Sequence, residues 1–197
     1  MTSKALQQPM INRLVPLRAS AFRVPLQIAA GIALMALLAQ IRIQVGPVPI
    51  TGQTLGVLLV GAAYGLRLGG VTLALYLLAG GLGLPVFTDA GAGWAYFAGP
   101  TAGYLLGFPL AAMLVGYLSQ RGWDRRPAST ALAMLLGNLV IYLLGLSWLA
   151  RFAPASEPVL AWTLAAGLAP FLAGDALKLL LAAGLLPGAW RLLGRRA

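Results

Sequence analysis

Neither cysteine nor histidine occurs anywhere in the 197 residues. The first absence excludes disulfides, thiolate metal sites and cysteine nucleophiles. The second removes the commonest metal ligand, general base and near-neutral pH switch. Charge is scarce too: 9% of residues are charged, four of them acidic, while 60% are hydrophobic. A soluble domain carries nearly three times that charge, about 25%, so the chain reads as an integral membrane protein. Its only lysines, Lys4 and Lys178, stand outside any Gly-x-x-x-x-Gly-Lys-Ser/Thr pattern, which leaves no P-loop for nucleotide. Paired carboxylates for acid–base work and acidic clusters for Mg²⁺ are missing, so no cofactor is expected. The net charge of +10 does not point to nucleic acid, because the basic residues sit at the ends of apolar segments. The partner that this pattern implies is the lipid bilayer.

What is present is a series of apolar stretches divided by glycine, proline or charge. They predict an all-α membrane domain occupying 1–197, with six transmembrane helices near 22–41, 53–67, 69–84, 100–119, 129–149 and 171–192. A basic tail, 1–21, precedes them, and the first apolar run is too long for a signal-peptide core, so it reads as a retained span. The second and third spans run together through Tyr64-Gly-Leu-Arg-Leu-Gly-Gly, which predicts a tight turn. Three longer connections, 42–52, 85–100 and 151–170, fall on one side. The last contains an apolar stretch, 159–168, too short to cross.

Positive charge sets the orientation. Six spans put Lys4, Arg13, Arg18, Arg23, Arg67, Arg121, Arg125, Arg126, Arg191, Arg195 and Arg196 on one side, 11 of the 14 basic residues. Both termini are then cytoplasmic, and the three long connections face outward.

The most informative residues are Asp175 and Lys178. Three positions apart, they share one helix face inside an apolar span, where charges are rare and default to functional roles. A helix starting near Pro170 puts them about 7–12 Å below an outward mouth, at 1.5 Å per residue. One reading is a self-neutralising pair that fixes helix packing; such pairs seldom stabilise on balance. The other is that a ligand with both donors and acceptors completes their hydrogen bonding.

The outer connections add further candidates. Gln44-Val-Gly-Pro-Val-Pro-Ile-Thr-Gly-Gln-Thr is stiffened by two prolines and leads through polar residues, Gln53 among them, into the second span; a rigid turn is its plainer reading. The 85–104 stretch offers Phe87, Trp94, Tyr96, Phe97 and Tyr104 as flat apolar surface, although aromatic residues at a membrane boundary also serve as anchors. Asn138 and Tyr142 either bond neighbouring helices or line a cavity. In the first span, Ala29 and Ala33 permit close helix approach, either within the bundle or against a partner membrane protein.

Four motifs in order carry a resemblance: Gly46-Pro-Val-Pro-Ile-Thr-Gly-Gln-Thr-Leu, Gly83-Leu-Pro-Val-Phe, Gly99-Pro-Thr-Ala-Gly-Tyr-Leu-Leu-Gly-Phe and Pro170-Phe-Leu-Ala-Gly-Asp-Ala-Leu-Lys. Together they resemble the BioY family, the biotin-specific substrate-binding (S) components of energy-coupling-factor (ECF) vitamin transporters. Ala102 stands where the family usually has glycine. The resemblance implies a six-helix S-component fold in the bacterial cytoplasmic (inner) membrane. It implies biotin capture near the outer surface, and coupling to a transmembrane T component and cytoplasmic ATPase subunits. It implies that Asp175 and Lys178 bind biotin; Gln53, Phe87, Asp89, Trp94, Thr101, Tyr104, Asn138 and Tyr142 are the further candidate contacts taken from the motifs, loops and spans themselves. Ala29 and Ala33 would face the T component.

Two rivals from other classes are a lipid-modifying membrane enzyme with Asp175 as base and a structural subunit whose ion pair locks helices. The first lacks histidine, cysteine and any metal-ligand cluster. Failure of every small molecule to raise thermal stability would favour the second, since a ligand at 100 times its Kd adds about 2.7 kcal/mol.

Overall fold

The computed structural model describes residues 7–14 and 22–194. Lys4, Arg18, Arg195 and Arg196 of the basic tails lie outside the described residues. The elements in order are α1 (Ile11–Leu14), α2 (Arg23–Gln40), β1 (Arg42–Ile43), β2 (Ile50–Thr51), α3 (Gln53–Gly81), α4 (Ala102–Gln120), α5 (Pro127–Leu149), α6 (Val159–Gly167) and α7 (Leu172–Gly194). Five helical runs among the described residues are long and apolar enough to cross a bilayer.

The 29-residue α3 is not straight. Gly65 takes φ 78° and ψ −179°, a conformation that only glycine adopts readily, and the chain reverses there. A straight helix would hold Gln53 and Tyr76 about 35 Å apart at 1.5 Å per residue. Instead, the Gln53 amide donates to the Tyr76 hydroxyl at 2.8 Å. The limbs 53–64 and 66–81 therefore run side by side, joined by the tight turn expected from Tyr64-Gly-Leu-Arg-Leu-Gly-Gly.

Glycine also governs how closely α4 approaches. A Cβ on Gly61 would lie 2.7 Å from the Ala112 carbonyl oxygen, and one on Gly116 would lie 2.4 Å from the Gly65 carbonyl carbon. Such small-residue contacts let helix backbones meet where lipid supplies no hydrophobic drive for association. The opposite faces are greasy. Along α5, Leu135, Leu139 and Leu143 recur every four residues and are exposed, an apolar stripe suited to acyl chains.

The last apolar run is interrupted. Leu168 departs from helical geometry with φ −125° and ψ −58°, separating α6 from α7. Nine residues of α6 span about 13 Å, under half of the ~30 Å hydrocarbon thickness, as expected for 159–168. The 42–52 connection folds into a minimal antiparallel ribbon, with Arg42 opposite Thr51 and Ile43 opposite Ile50.

Candidate functional site

Four helices and two connections converge on a small cavity of about 50 Å³, room for a few waters. Val48, Pro49 and Thr51 come from the ribbon, and Thr88 and Tyr96 from the 85–100 connection. Gln53 and Thr54 open α3, Thr101 and Tyr104 open α4, Asn138 and Tyr142 come from α5, and Lys178 comes from α7.

Lys178 is the cavity's cation. Its ammonium donates to the Thr54 hydroxyl at 2.8 Å and to Asp175 Oδ1 at 3.1 Å. An ammonium has three donors, so one is left over. The two side chains are 14% and 8% exposed, so the pair is desolvated, and such pairs stabilise a fold poorly. Asp175 sits behind the cavity wall. It accepts from the Tyr142 hydroxyl through Oδ2 and faces an apolar groove of about 470 Å³ between α5 and α7. Tyr142 and Asn138 line both spaces and form the partition between them. Asn138 is buried, and its carbonyl oxygen has no hydrogen-bond partner. An orphaned acceptor of this kind is unusual in folded proteins.

The remaining candidates divide sharply. Gln53 is held at both ends of its amide: it donates to Tyr76 and accepts from Thr51 at 3.1 Å and from Thr88 at 3.3 Å. Tyr76 in turn donates to the Val86 carbonyl at 2.9 Å. That chain ties the mouth of the α3 hairpin to the 85–100 connection. Tyr104 packs with Tyr142 and Phe171 at ring-centroid separations of 6.3 and 6.4 Å, and its hydroxyl donates to the Gly167 carbonyl at 2.9 Å. It anchors the end of α6 over the cavity.

Phe87 is fully buried among Tyr76, Tyr96 and Phe97. Its ring occupies the place where a Cβ on Gly80 would stand, so it pins the connection and does not line the cavity. Trp94 is 62% exposed, leans on Gly81 and also stays off the cavity wall. Asp89 pairs with Arg42 at the surface and lines a more open vestibule of about 370 Å³. This vestibule shares Pro49, Thr88, Tyr96 and Thr101 with the inner cavity, so those four side chains are the floor of one chamber and the roof of the other. Burial pushes the Tyr96 phenol above its ordinary range, which keeps it a neutral donor. Ala29 and Ala33 are exposed on α2, whose inward face is Gln27, Gly31, Met35 and Ala39.

Thr54 and Thr88 were not singled out from sequence, whereas Thr101 and Tyr96 of the shared roof were. Thr54 lies within the first family motif, but only the hairpin brings it beside Lys178. Backbone strain marks the roof as well: Asp89 and Ala90 have φ of 61° and 53°, a region that side chains other than glycine seldom adopt and that clusters at ligand clamps.

Known proteins resemble this chain in sequence and in fold. The BioY family profile matches residues 10–195. A probable biotin transporter BioY from Pyrococcus horikoshii is 38% identical over 151 residues, spanning 77% of this chain and 86% of that protein. The biotin transporter BioY of Rhizobium etli is 37% identical over 163 residues, spanning 79% and 84%. A solved S-component for biotin from an ECF-type ABC transporter superposes with a TM-score of 0.70 at 23% identity, covering 86% of this chain and 91% of that one. The last likeness concerns the fold alone, whereas the family profile runs from before α1 through α7, across every element that builds the cavity. The chain belongs to the BioY family.

Proposed function

We propose that this chain captures biotin in the cavity under the 42–52 and 85–100 connections, with Lys178 and Asn138 as its principal polar contacts. As a member of its family it is a biotin transport protein, a multi-pass membrane protein and not an enzyme. The observation that carries the site is the desolvated ammonium with a spare donor, across a cavity from an orphaned amide carbonyl. Biotin offers the complement: two ureido N–H donors, a carbonyl oxygen and a carboxylate around an apolar thioether ring. Asn138 accepts a ureido N–H, Lys178 engages an oxygen, and Tyr96, Tyr104 and Phe171 cover the ring. Asp175 acts on the ligand through Lys178 and Tyr142, holding both in place. Of the other sequence candidates, Gln53 and Thr101 contribute polar wall, and Phe87, Trp94 and Asp89 shape the roof. Ligand-sized pockets are about 300 Å³ or more, so admission requires Tyr96 and its neighbours to yield and join the vestibule to the cavity.

The limbs of α3 count as two crossings in this reading, giving six in a single membrane domain. The basic ends are cytoplasmic and the membrane is the bacterial inner membrane. The family's ECF setting supplies a transmembrane T component and cytoplasmic ATPases as partners, with exposed Ala29 and Ala33 of α2 as the contact face.

Biotin binding by purified Lys178→Ala and Asp175→Asn proteins tests the site. Loss of a hydrogen bond to a charged group is worth about 1.5–3 kcal/mol, so Lys178→Ala should bind roughly ten- to a hundredfold more weakly. Near-normal affinity in both variants overturns the assignment.

A further inference from the structure

The turn end of the α3 hairpin, at the opposite end from Gln53 and the proposed biotin cavity, holds a larger cavity of about 480 Å³. Two arginines line it, Arg23 from the first turn of α2 and Arg67 from the α3 turn, and among the described residues no carboxylate does. The ion pairs among the described residues lie elsewhere, at Arg42–Asp89 and Lys178–Asp175. Arg23 Nη2 donates to Asn12 Oδ1 at 2.6 Å and to the Asn12 carbonyl at 3.5 Å, which engages at most two of a guanidinium's five donors.

Three further features point the same way. The 18-residue α2 begins at this cavity with no side-chain cap and no acidic residue in its first turn, so no carboxylate of its own first turn opposes its positive dipole end. Gln27, one turn further on, lines the cavity while 4% exposed, and its amide nitrogen has no acceptor. An unmet buried donor beside two unpaired cations describes the inside of an anion site. Beside it, Val24 and Leu26 of α2 are exposed and apolar. Arg23 and Arg67 each stand at an end of an apolar helical segment, the level at which lipid phosphates lie.

We propose that this cavity binds the phosphate headgroup of an anionic phospholipid, with the acyl chains laid along Val24 and Leu26. Arg23, Arg67 and the Gln27 amide hold the phosphate oxygens. Two cations without a balancing carboxylate select against a choline headgroup, whose own ammonium would meet the arginines. Basic pockets between membrane helices commonly receive such headgroups.

The test uses the full chain purified in detergent, with thermal unfolding and native mass spectrometry as readouts. Dioleoyl phosphatidylglycerol should raise the unfolding temperature and remain bound, whereas dioleoyl phosphatidylcholine and millimolar inorganic phosphate should do neither. Arg67→Gln, Arg23→Gln and Gln27→Leu should each weaken phosphatidylglycerol retention, by roughly tenfold or more for either arginine, while biotin still stabilises each variant as in wild type. If Arg23→Gln fails to fold, Arg67→Gln, at an exposed position, carries the comparison. Equal retention of the two lipids overturns the proposal, as does wild-type retention by the arginine variants. Stabilisation by inorganic phosphate matching that by lipid assigns a soluble anion and also overturns it. So does loss of assembly with a transmembrane partner in Arg67→Gln when no lipid discrimination exists, which would assign the cavity to an acidic protein segment.

Discussion

The two ends of this molecule solve opposite problems with similar materials. At the turn end, α4 lies against the α3 hairpin so closely that Gly61 and Gly116 leave no room for a methyl group. At the cavity end, helices of the same composition stand apart, and the gap is filled by irregular backbone, hydroxyls, amides and one ion pair. The first end gains stability from contact where α3 meets α4, although its α2 side keeps the unmet Gln27 donor. The second gives stability up, since it keeps a desolvated charge pair and an unbonded carbonyl on Asn138. A protein built only for structure has no reason to keep both. Local departures from good packing and hydrogen bonding are where function is expected.

The sharpest way to break this contrast is to unbalance the charge pair. Asp175→Ala leaves Lys178 buried without its anion, and thermal or denaturant unfolding should show a loss of about 3–5 kcal/mol. The double variant Asp175→Asn with Lys178→Met should recover most of that loss while biotin binding stays weakened by roughly ten- to a hundredfold. If the double variant binds biotin with wild-type affinity, the pair serves structure alone. At the other end, Gly116→Val drives a side chain into the Gly65 backbone. It should lower stability by about 1–3 kcal/mol with little change in biotin affinity of the folded fraction. A selective loss of affinity there would show that the ends are not independent.

A smaller effect is expected at the roof. Tyr96→Ala removes a ring packed 4.7 Å from Phe87, worth about 0.5–1.5 kcal/mol beyond its burial, and merges vestibule and cavity. Stopped-flow binding should show biotin entering and leaving faster.

The smallest lies in the connection between α4 and α5. Burial raises the Asp124 carboxyl above the usual range, although Trp190 donates to it. A raised folded value means that the fold favours the protonated acid. Stability from this group is therefore greatest below the ordinary carboxylate value and falls as pH climbs through the raised one. Asp124→Asn keeps an acceptor for Trp190 and removes that slope, so the variant should gain on wild type as unfolding is measured from about pH 4 upward. Parallel stability curves for the two proteins would contradict this.

Much of the scaffold was legible because a bilayer writes plainly in sequence. Apolar runs of the right length marked the helices, and Tyr64-Gly-Leu-Arg-Leu-Gly-Gly marked the reversal. The 159–168 stretch was too short to be anything but a partial helix. The charged pair was legible for the same reason, since Asp175 and Lys178 stand out against leucine. What stayed hidden depends on rotation and register between elements. Thr54 meets Lys178 from 124 positions away, and Gln53 reads equally as a ligand contact or as the strut to Tyr76 that it is. Phe87 and Trp94 look alike in the aromatic stretch, yet one is buried and the other faces outward, because only Phe87 meets the gap left by Gly80. Local composition carries none of that information.

The hairpin of α3 has a mechanical consequence. Its limbs are joined at Gly65 and laced again at the far extremity by Gln53 and Tyr76, so the pair is a stiff post that resists splaying. In the proposed reading, a gate for the vitamin is then hung on the ribbon and the strained Asp89–Ala90 segment, a hatch beside a post that stays upright.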